Sequence, residues 1–69
     1  MKVVVIDDER AMQLIMQNML AKIAGVDVAG VFGETASAES FMAGHEVHLV
    51  FVDIQLPNES GIAFARRLA

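Results

Sequence analysis

The sequence contains no cysteine, no tryptophan and no tyrosine, and it has one proline in 69 residues. Without cysteine, neither a disulfide nor a thiolate-bound metal can compensate for the small size of the chain. No apolar stretch approaches the roughly 18 residues that a membrane span needs. The short apolar start is interrupted at once by three acidic residues, so it does not resemble a signal peptide. We therefore expect a cytoplasmic protein with no membrane partner.

Basic residues are also scarce, with five Lys and Arg against nine Asp and Glu, which gives a net charge of −4. Binding to nucleic acid requires clustered basic residues. Only Arg66 and Arg67 are adjacent, and two arginines on one helix usually form a solvated face, so we expect no direct nucleic-acid partner. Hydrophobic residues, in contrast, make up 55% of the chain. This excess indicates that part of the surface packs against further protein.

Three apolar runs are typical of buried strands: residues 3–6, 26–32 and 47–52. The first is apolar throughout and the third is apolar apart from His48, as expected of strands that are covered on both faces of a parallel sheet. The second is diluted by Asp27 and Gly30, which fits an edge. Each run is followed by a segment with helical spacing, and the order β-α-β-α-β-α predicts one α/β domain over residues 1–69. Its parallel sheet would lie between helices in three αβα layers.

The first helix is expected to start at Arg10 and to end near Gly25. Gln13 and Gln17 are expected on its solvent face. Its apolar residues recur at helical spacing and are expected to pack against the sheet: Met12, Ile15, Met16, Met19, Leu20 and Ile23.

The second and third helices begin next to hydroxyl-bearing residues. Thr35 is expected to cap the second helix, which runs through Ala43, and Ser60 is expected to cap the third. The loop before Ser60 holds Pro57, and Gly61 suits a helix start that lies close to neighbouring backbone.

Carboxylates follow two of the predicted strands, Asp7 and Asp8 after the first and Asp53 after the third. In an open α/β sheet the binding site lies at the carboxyl ends of the strands. If these two strands are neighbours, roughly 4.8 Å apart, the three carboxylates converge and repel one another unless a hard cation neutralises them. Mg²⁺ fits, since it takes oxygen ligands and bridges to phosphate. A carboxylate beside it could attack phosphorus and form an acyl phosphate.

The first strand–helix turn separates this site from common phosphate-binding folds. Dinucleotide-binding and P-loop proteins carry glycines in that turn, so that the backbone can approach a phosphate. Here the turn is acidic and lacks glycine. The sequence therefore argues against both types of nucleotide site.

Two segments resemble a known family. Residues 5–9, VIDDE, look like the start of the receiver domain of two-component response regulators, and residues 50–57, VFVDIQLP, followed by Gly61, look like its phosphoacceptor segment. The resemblance covers the whole chain. It implies a flavodoxin-like, doubly wound parallel sheet in which the three strands present here have the order 2-1-3.

The resemblance also implies the roles of the acidic residues. Asp53 would accept the phosphoryl group from a sensor histidine kinase or a small phosphodonor. Asp8 and Asp53 would ligate Mg²⁺ through their side chains, Gln55 through its backbone carbonyl, and Asp7 chiefly through a bound water. The protein would be a phosphorelay substrate with limited capacity for self-phosphorylation, not an enzyme that turns over.

The sequence departs from the family at its end. The switch Ser or Thr and the Lys that contact the phosphoryl oxygens in receivers have no counterpart here. We therefore expect an N-terminal half of a receiver domain, truncated after the third helix, with impaired switching.

The order 2-1-3 has a consequence for assembly, because it makes the apolar third strand an unprotected edge. It is also expected to leave apolar side chains such as Phe64 and Leu68 uncovered. We expect a homo-oligomer that forms through the third-strand edge or through swapped helices. An alternative function is therefore an assembly module with a vestigial acidic site. A Mg²⁺-dependent phosphotransferase or phosphatase is less well supported, since no Lys or Arg falls in the predicted crevice.

Overall fold

A computed structural model describes residues 1–68. The elements follow one another as β1 (Lys2–Ile6), α1 (Arg10–Leu20), β2 (Asp27–Phe32), α2 (Thr35–Ala43), β3 (Leu49–Val52) and α3 (Gly61–Leu68). The three strands form one parallel sheet in the order β2-β1-β3. The predicted α/β class, the flavodoxin-like topology and the strand order 2-1-3 are confirmed. None of the helices in this part of the chain is long and apolar enough to cross a membrane.

The core is built around β1, the central strand. Its last four residues are at most 1% exposed, because helices cover both faces of the sheet at this strand. Val4 and Ile6 pack on the α2 and α3 side, in a cluster that contains Phe64. The opposite face packs against α1. The continuous apolar run that identified this strand in the sequence therefore reflects burial on two sides.

The expectation that Phe64 is uncovered is wrong. The side chain is fully buried at 0% exposure and packs with Val4, Ile6 and Ala38. The inner face of α3 is covered within this chain, because β1 and α2 provide an apolar surface for it. Leu68, on the last turn, is 43% exposed, as expected.

The predicted orientation of α1 is wrong in part. Leu20 and Met16 pack against the sheet as expected. Gln13 is also buried and Gln17 is half-buried, whereas Met12 and Met19 are 38% and 58% exposed. The side chain of Gln13 donates a hydrogen bond to the backbone carbonyl of Asp7, at 2.7 Å. This bond satisfies the hydrogen-bonding requirement of a buried amide. It favours an orientation of α1 in which Gln13, rather than Met12 or Met19, lies against the sheet.

Two predicted helix boundaries change as well. Helix α1 ends at Leu20, and Gly25, with φ of 82°, lies in the turn that leads into β2. Ser60 caps α3 as predicted, since its hydroxyl accepts a hydrogen bond from the N–H of Ala63 at 3.0 Å. Thr35 does not cap α2, because its hydroxyl is used in a contact with the loop before α3.

Strand β3 lies at the edge of the sheet and, among the described residues, pairs only with β1. Val50 and Val52 pack toward α2 and α3. Leu49 and Phe51 alternate to the α1 side, where they are 41% and 37% exposed. Together with the exposed methionines of α1, they leave an apolar surface beside β3.

Candidate functional site

The carboxyl ends of β1 and β3 place two acidic residues side by side. The backbone N–H of Asp53 donates to the carbonyl of Ile6 at 3.0 Å, and the N–H of Asp7 donates to the carbonyl of Phe32 at 2.9 Å. Both bonds extend the sheet ladder one residue beyond β1 and β3. The backbone of each acid is therefore fixed by the sheet, while its side chain leaves at the carboxyl edge.

Asp8 completes a cluster of three carboxylates at this edge. Asp7, Asp8 and Asp53 each offer a carboxylate oxygen, and these oxygens all lie within 4.8 Å of one another. Asp7 and Asp53 are half-buried, and Asp8 is exposed. The structure thus brings together the three acids for which the sequence predicted a shared crevice.

The donor set is suited to Mg²⁺. All three groups are oxygen ligands, and in an octahedral shell of about 2.1 Å radius, ligands on opposite sides of the ion lie about 4.2 Å apart. Side chains separated by up to 4.8 Å can reach one cation after small rotations. Three clustered carboxylates also repel one another, and a divalent cation removes that repulsion.

Gln55, the fourth predicted ligand, lies two residues beyond Asp53 in the loop between β3 and α3. Its backbone N–H donates to the Asp53 carboxylate at 3.3 Å. In the same way, the Asp7 carboxylate accepts a bond from the N–H of Glu9 at 2.9 Å. Each carboxylate is thereby oriented by the loop that follows its own strand.

A cavity of about 190 Å³ opens beside the acids, between α1 and β3. Its walls are mostly apolar, and Asp7 and Asp53 are its two charged lining residues. The residues that line the cavity besides the two acids are Val5, Ile6, Met12, Met16, Phe51 and Val52.

A second polar cluster lies at the far side of the β3–α3 loop. Glu59 accepts hydrogen bonds from Thr35 at 2.6 Å and from both terminal nitrogens of Arg67 at 2.7 and 2.8 Å. Arg67 also forms an ion pair with Glu39. The pKa of Glu59 is lowered to about 2, because Arg67 and then Thr35 donate to its carboxylate. The pKa of Arg67 is raised by the same bond to Glu59 and by its bond to Glu39.

The sequence pattern does not indicate this second cluster. The expected solvated face does not account for Arg67, whose side chain pairs with residues of the loop and of α2. Glu59 and Arg67 are eight residues apart and span a loop and a helix, so no helical or strand periodicity links them. The stability that Glu59 gains from these bonds is fully present above its ordinary pKa of 4.5 and is lost as the pH falls toward 2.

Gly61, the first residue of α3, lies next to the backbone of Asp53 in the acidic cluster. Its N–H donates to the carbonyl of Ile54 at 2.6 Å, and a Cβ atom added to it would collide with the carbonyl oxygen of Asp53. The first turn of α3 therefore lies directly against the backbone of Asp53, in agreement with the close helix start that the sequence predicted.

Comparison with known proteins gives two matches. A family model described as "Response regulator receiver domain" matches residues 3–69. Among curated proteins, the chain is similar to protein-glutamate methylesterase/protein-glutamine glutaminase 4 of Geobacter metallireducens, with 30% identity over 67 residues. The match covers 97% of this chain and 19% of the relative, so the chain spans about a fifth of the length of that protein. No solved structure shows a significant match.

Proposed function

Because the chain belongs to the response regulator receiver domain family, we propose that it is a phosphoacceptor module of a two-component phosphorelay, with Asp53 as the acceptor. The observation that carries this proposal is the convergence of Asp7, Asp8 and Asp53 at the carboxyl ends of adjacent strands. Asp8 and Asp53 would hold Mg²⁺ through their side chains and Gln55 through its backbone carbonyl. Asp7 would act through a water molecule.

In the proposed reaction a carboxylate oxygen of Asp53 attacks phosphorus. An O–P bond forms on Asp53 while the bond from phosphorus to the donor breaks, and the donor leaves with that electron pair. The donor is a phosphohistidine of a sensor histidine kinase or a small acyl phosphate. Bound Mg²⁺ would neutralise the repulsion between the carboxylates and the phosphoryl oxygens. The protein is consumed as a substrate in this step, as receiver domains generally are, and is not an enzyme that turns over.

The proposed cation site predicts a specific response to Mg²⁺. Titration followed by ¹H–¹⁵N NMR is expected to give saturable shifts centred on Asp8, Asp53 and Gln55, because the cation relieves the repulsion among the carboxylates. The Asp8→Asn variant should bind more weakly, since it loses one charged ligand. Asp27→Asn removes the same charge from the start of β2, at the opposite end of the sheet, and should titrate like the native chain. Absence of shifts at these positions up to tens of millimolar Mg²⁺ would rule out the site.

A second candidate function is assembly, and the exposed surface beside β3 favours it. A two-fold axis normal to the sheet, midway between the β3 strands of two copies and level with Val50, would pair these strands antiparallel. Such an axis keeps each face of the sheet on the same side. It would therefore set the exposed Leu49 against Phe51 of the partner subunit, on the α1 side. Edge strands that stay unpaired are usually short, charged or interrupted by proline. This one, although short at four residues, carries only apolar side chains.

Light scattering as a function of concentration tests this assembly. The native chain is expected to shift from monomer to dimer across the micromolar range, and Leu49→Lys should keep it monomeric because a charge then lies at the pairing edge. Leu14→Lys places the same charge on α1 at a side chain that is similarly exposed, 48% against 41%. It should leave the dimer intact. A native chain that stays monomeric at high micromolar concentration would refute the assembly.

A further inference from the structure

The loop between β3 and α3, residues 53–60, is closed at its base by backbone contacts. Gln55 pairs with Ser60 in an isolated antiparallel bridge, and Gly61 bonds to the carbonyl of Ile54. The two segments of the loop, around Gln55 and around Ser60, are therefore held in a fixed register. A displacement of Ser60 or of its neighbour Glu59 would move the backbone of Gln55 with it.

The same loop is fastened to both helices on its side of the sheet. Glu59 takes a bidentate pair of bonds from Arg67 on α3 and one bond from Thr35 on α2. A longer contact, 3.4 Å, joins the amide of Asn58 to the carboxylate of Glu34. The end of the loop away from the metal ligands is thus attached to residues that do not touch the acidic cluster.

Arg67 is itself held in place by the core. Its guanidinium lies 5.3 Å from the centroid of the ring of Phe64, which is fully buried. An isolated exposed ion pair contributes little. A planar guanidinium that binds a carboxylate in a bidentate manner and rests on an aromatic ring has a fixed orientation, and this makes it a specific anchor. The lowered pKa of Glu59 keeps its carboxylate ionised, so the pair with Arg67 stays charged at neutral pH.

We infer that Glu59 and Arg67 are positioning residues for the Mg²⁺ site, because their ion pair fixes the loop from which Gln55 offers its carbonyl. The inference rests on the function proposed above, since it needs a cation at the acidic cluster. A carbonyl on a loose loop must be ordered when the cation binds, and that ordering lowers affinity. A loop that is already attached to α2 and α3 avoids this loss.

Arg67→Met is the most informative variant because two explanations predict opposite signs. If Arg67 acted only through its charge, removing a positive charge would strengthen Mg²⁺ binding. If it holds the loop, the Kd for Mg²⁺ should rise by about three- to tenfold, since the ordering cost returns. Arg66→Met removes the same charge from the adjacent position of α3 and should leave the Kd unchanged or slightly lower.

A double variant tests whether the two residues act as one unit. Glu59→Gln alone and Arg67→Met alone should weaken Mg²⁺ binding by similar factors, and the double variant should be no weaker than the more affected single variant. Thermal unfolding of every variant, followed by circular dichroism, identifies any that fail to fold. If Arg67→Met does not fold, the comparison of Thr35→Val with Thr35→Ser replaces it. Only the serine variant keeps the hydroxyl that donates to Glu59, and it should keep native affinity.

The outcomes distinguish the proposed function from the positioning role of Glu59 and Arg67. If the native chain shows no Mg²⁺ binding at the acidic cluster, the proposed function fails and the inference fails with it. If the native chain binds Mg²⁺ and folded Arg67→Met binds it equally well or more tightly, the site stands and the positioning role is overturned. Multiplicative effects of the Glu59 and Arg67 variants would likewise overturn it.

Discussion

Replacing Gly61 by alanine is expected to lower the free energy of unfolding by about 2–4 kcal/mol, although helix propensity alone would favour alanine by up to about 1 kcal/mol. The added Cβ would collide with the carbonyl oxygen of Asp53 and would lie 2.8 Å from its carbonyl carbon and 3.1 Å from Cα of Ile54. These are backbone atoms, so no side-chain rotation can relieve the contact. Either α3 or the strand end that carries Asp53 must move.

A loss of this size is large for this protein. At roughly 0.05–0.15 kcal/mol per residue, a chain of this length has a total stability of about 3–10 kcal/mol. Chemical unfolding followed by circular dichroism would measure the change. Because the displaced backbone belongs to Asp53, the variant should also lose Mg²⁺ binding under conditions in which it remains folded.

Gly44→Ala is the matched control. A Cβ atom at Gly44, the C-cap of α2, meets nothing within 4 Å, and its φ of −112° is open to any residue. We expect stability to change by less than about 1 kcal/mol, with a gain as the favoured direction. If Gly61→Ala were as harmless as Gly44→Ala, the close contact between α3 and Asp53 would be refuted.

The sheet could be predicted from the sequence because its signals are local. The apolar run of β1 reflects burial on both faces, and the acid that follows it marks the end of the strand. The alternation of strands and helices restricts the connections to parallel crossovers. The face of α1 could not be predicted in this way. Its apolar stripe is wider than the surface it covers, and the orientation depends on the bond between Gln13 and the carbonyl of Asp7.

The acidic cluster could be predicted from the sequence for a similar reason. Asp7, Asp8 and Asp53 each follow a strand, so the topology alone brings them to one edge of the sheet. The anchoring pair of Glu59 and Arg67 depends instead on how α3 packs beside α2. That packing is decided by the burial of Phe64, a tertiary effect that no spacing in the sequence reveals.

Asp53→Asn is expected to abolish phosphorylation completely. The carboxamide is not a competent nucleophile toward phosphorus and cannot form the acyl phosphate, whereas the backbone bond between the N–H of residue 53 and Ile6 is unaffected by the change. The variant should therefore fold normally and fail only in the reaction. Asp27→Asn, which removes an exposed carboxylate from the other end of the sheet, should be modified like the native chain.

The most direct test is mass spectrometry of the intact chain after incubation with a small acyl phosphate and Mg²⁺. We predict one added phosphoryl group on the native chain, mapped to Asp53 and removed by hydroxylamine as acyl phosphates are. It should be absent when Mg²⁺ is chelated or when Asp53 is replaced by Asn. Modification of the Asp53→Asn variant, or a native chain that stays unmodified with Mg²⁺ bound, would contradict it.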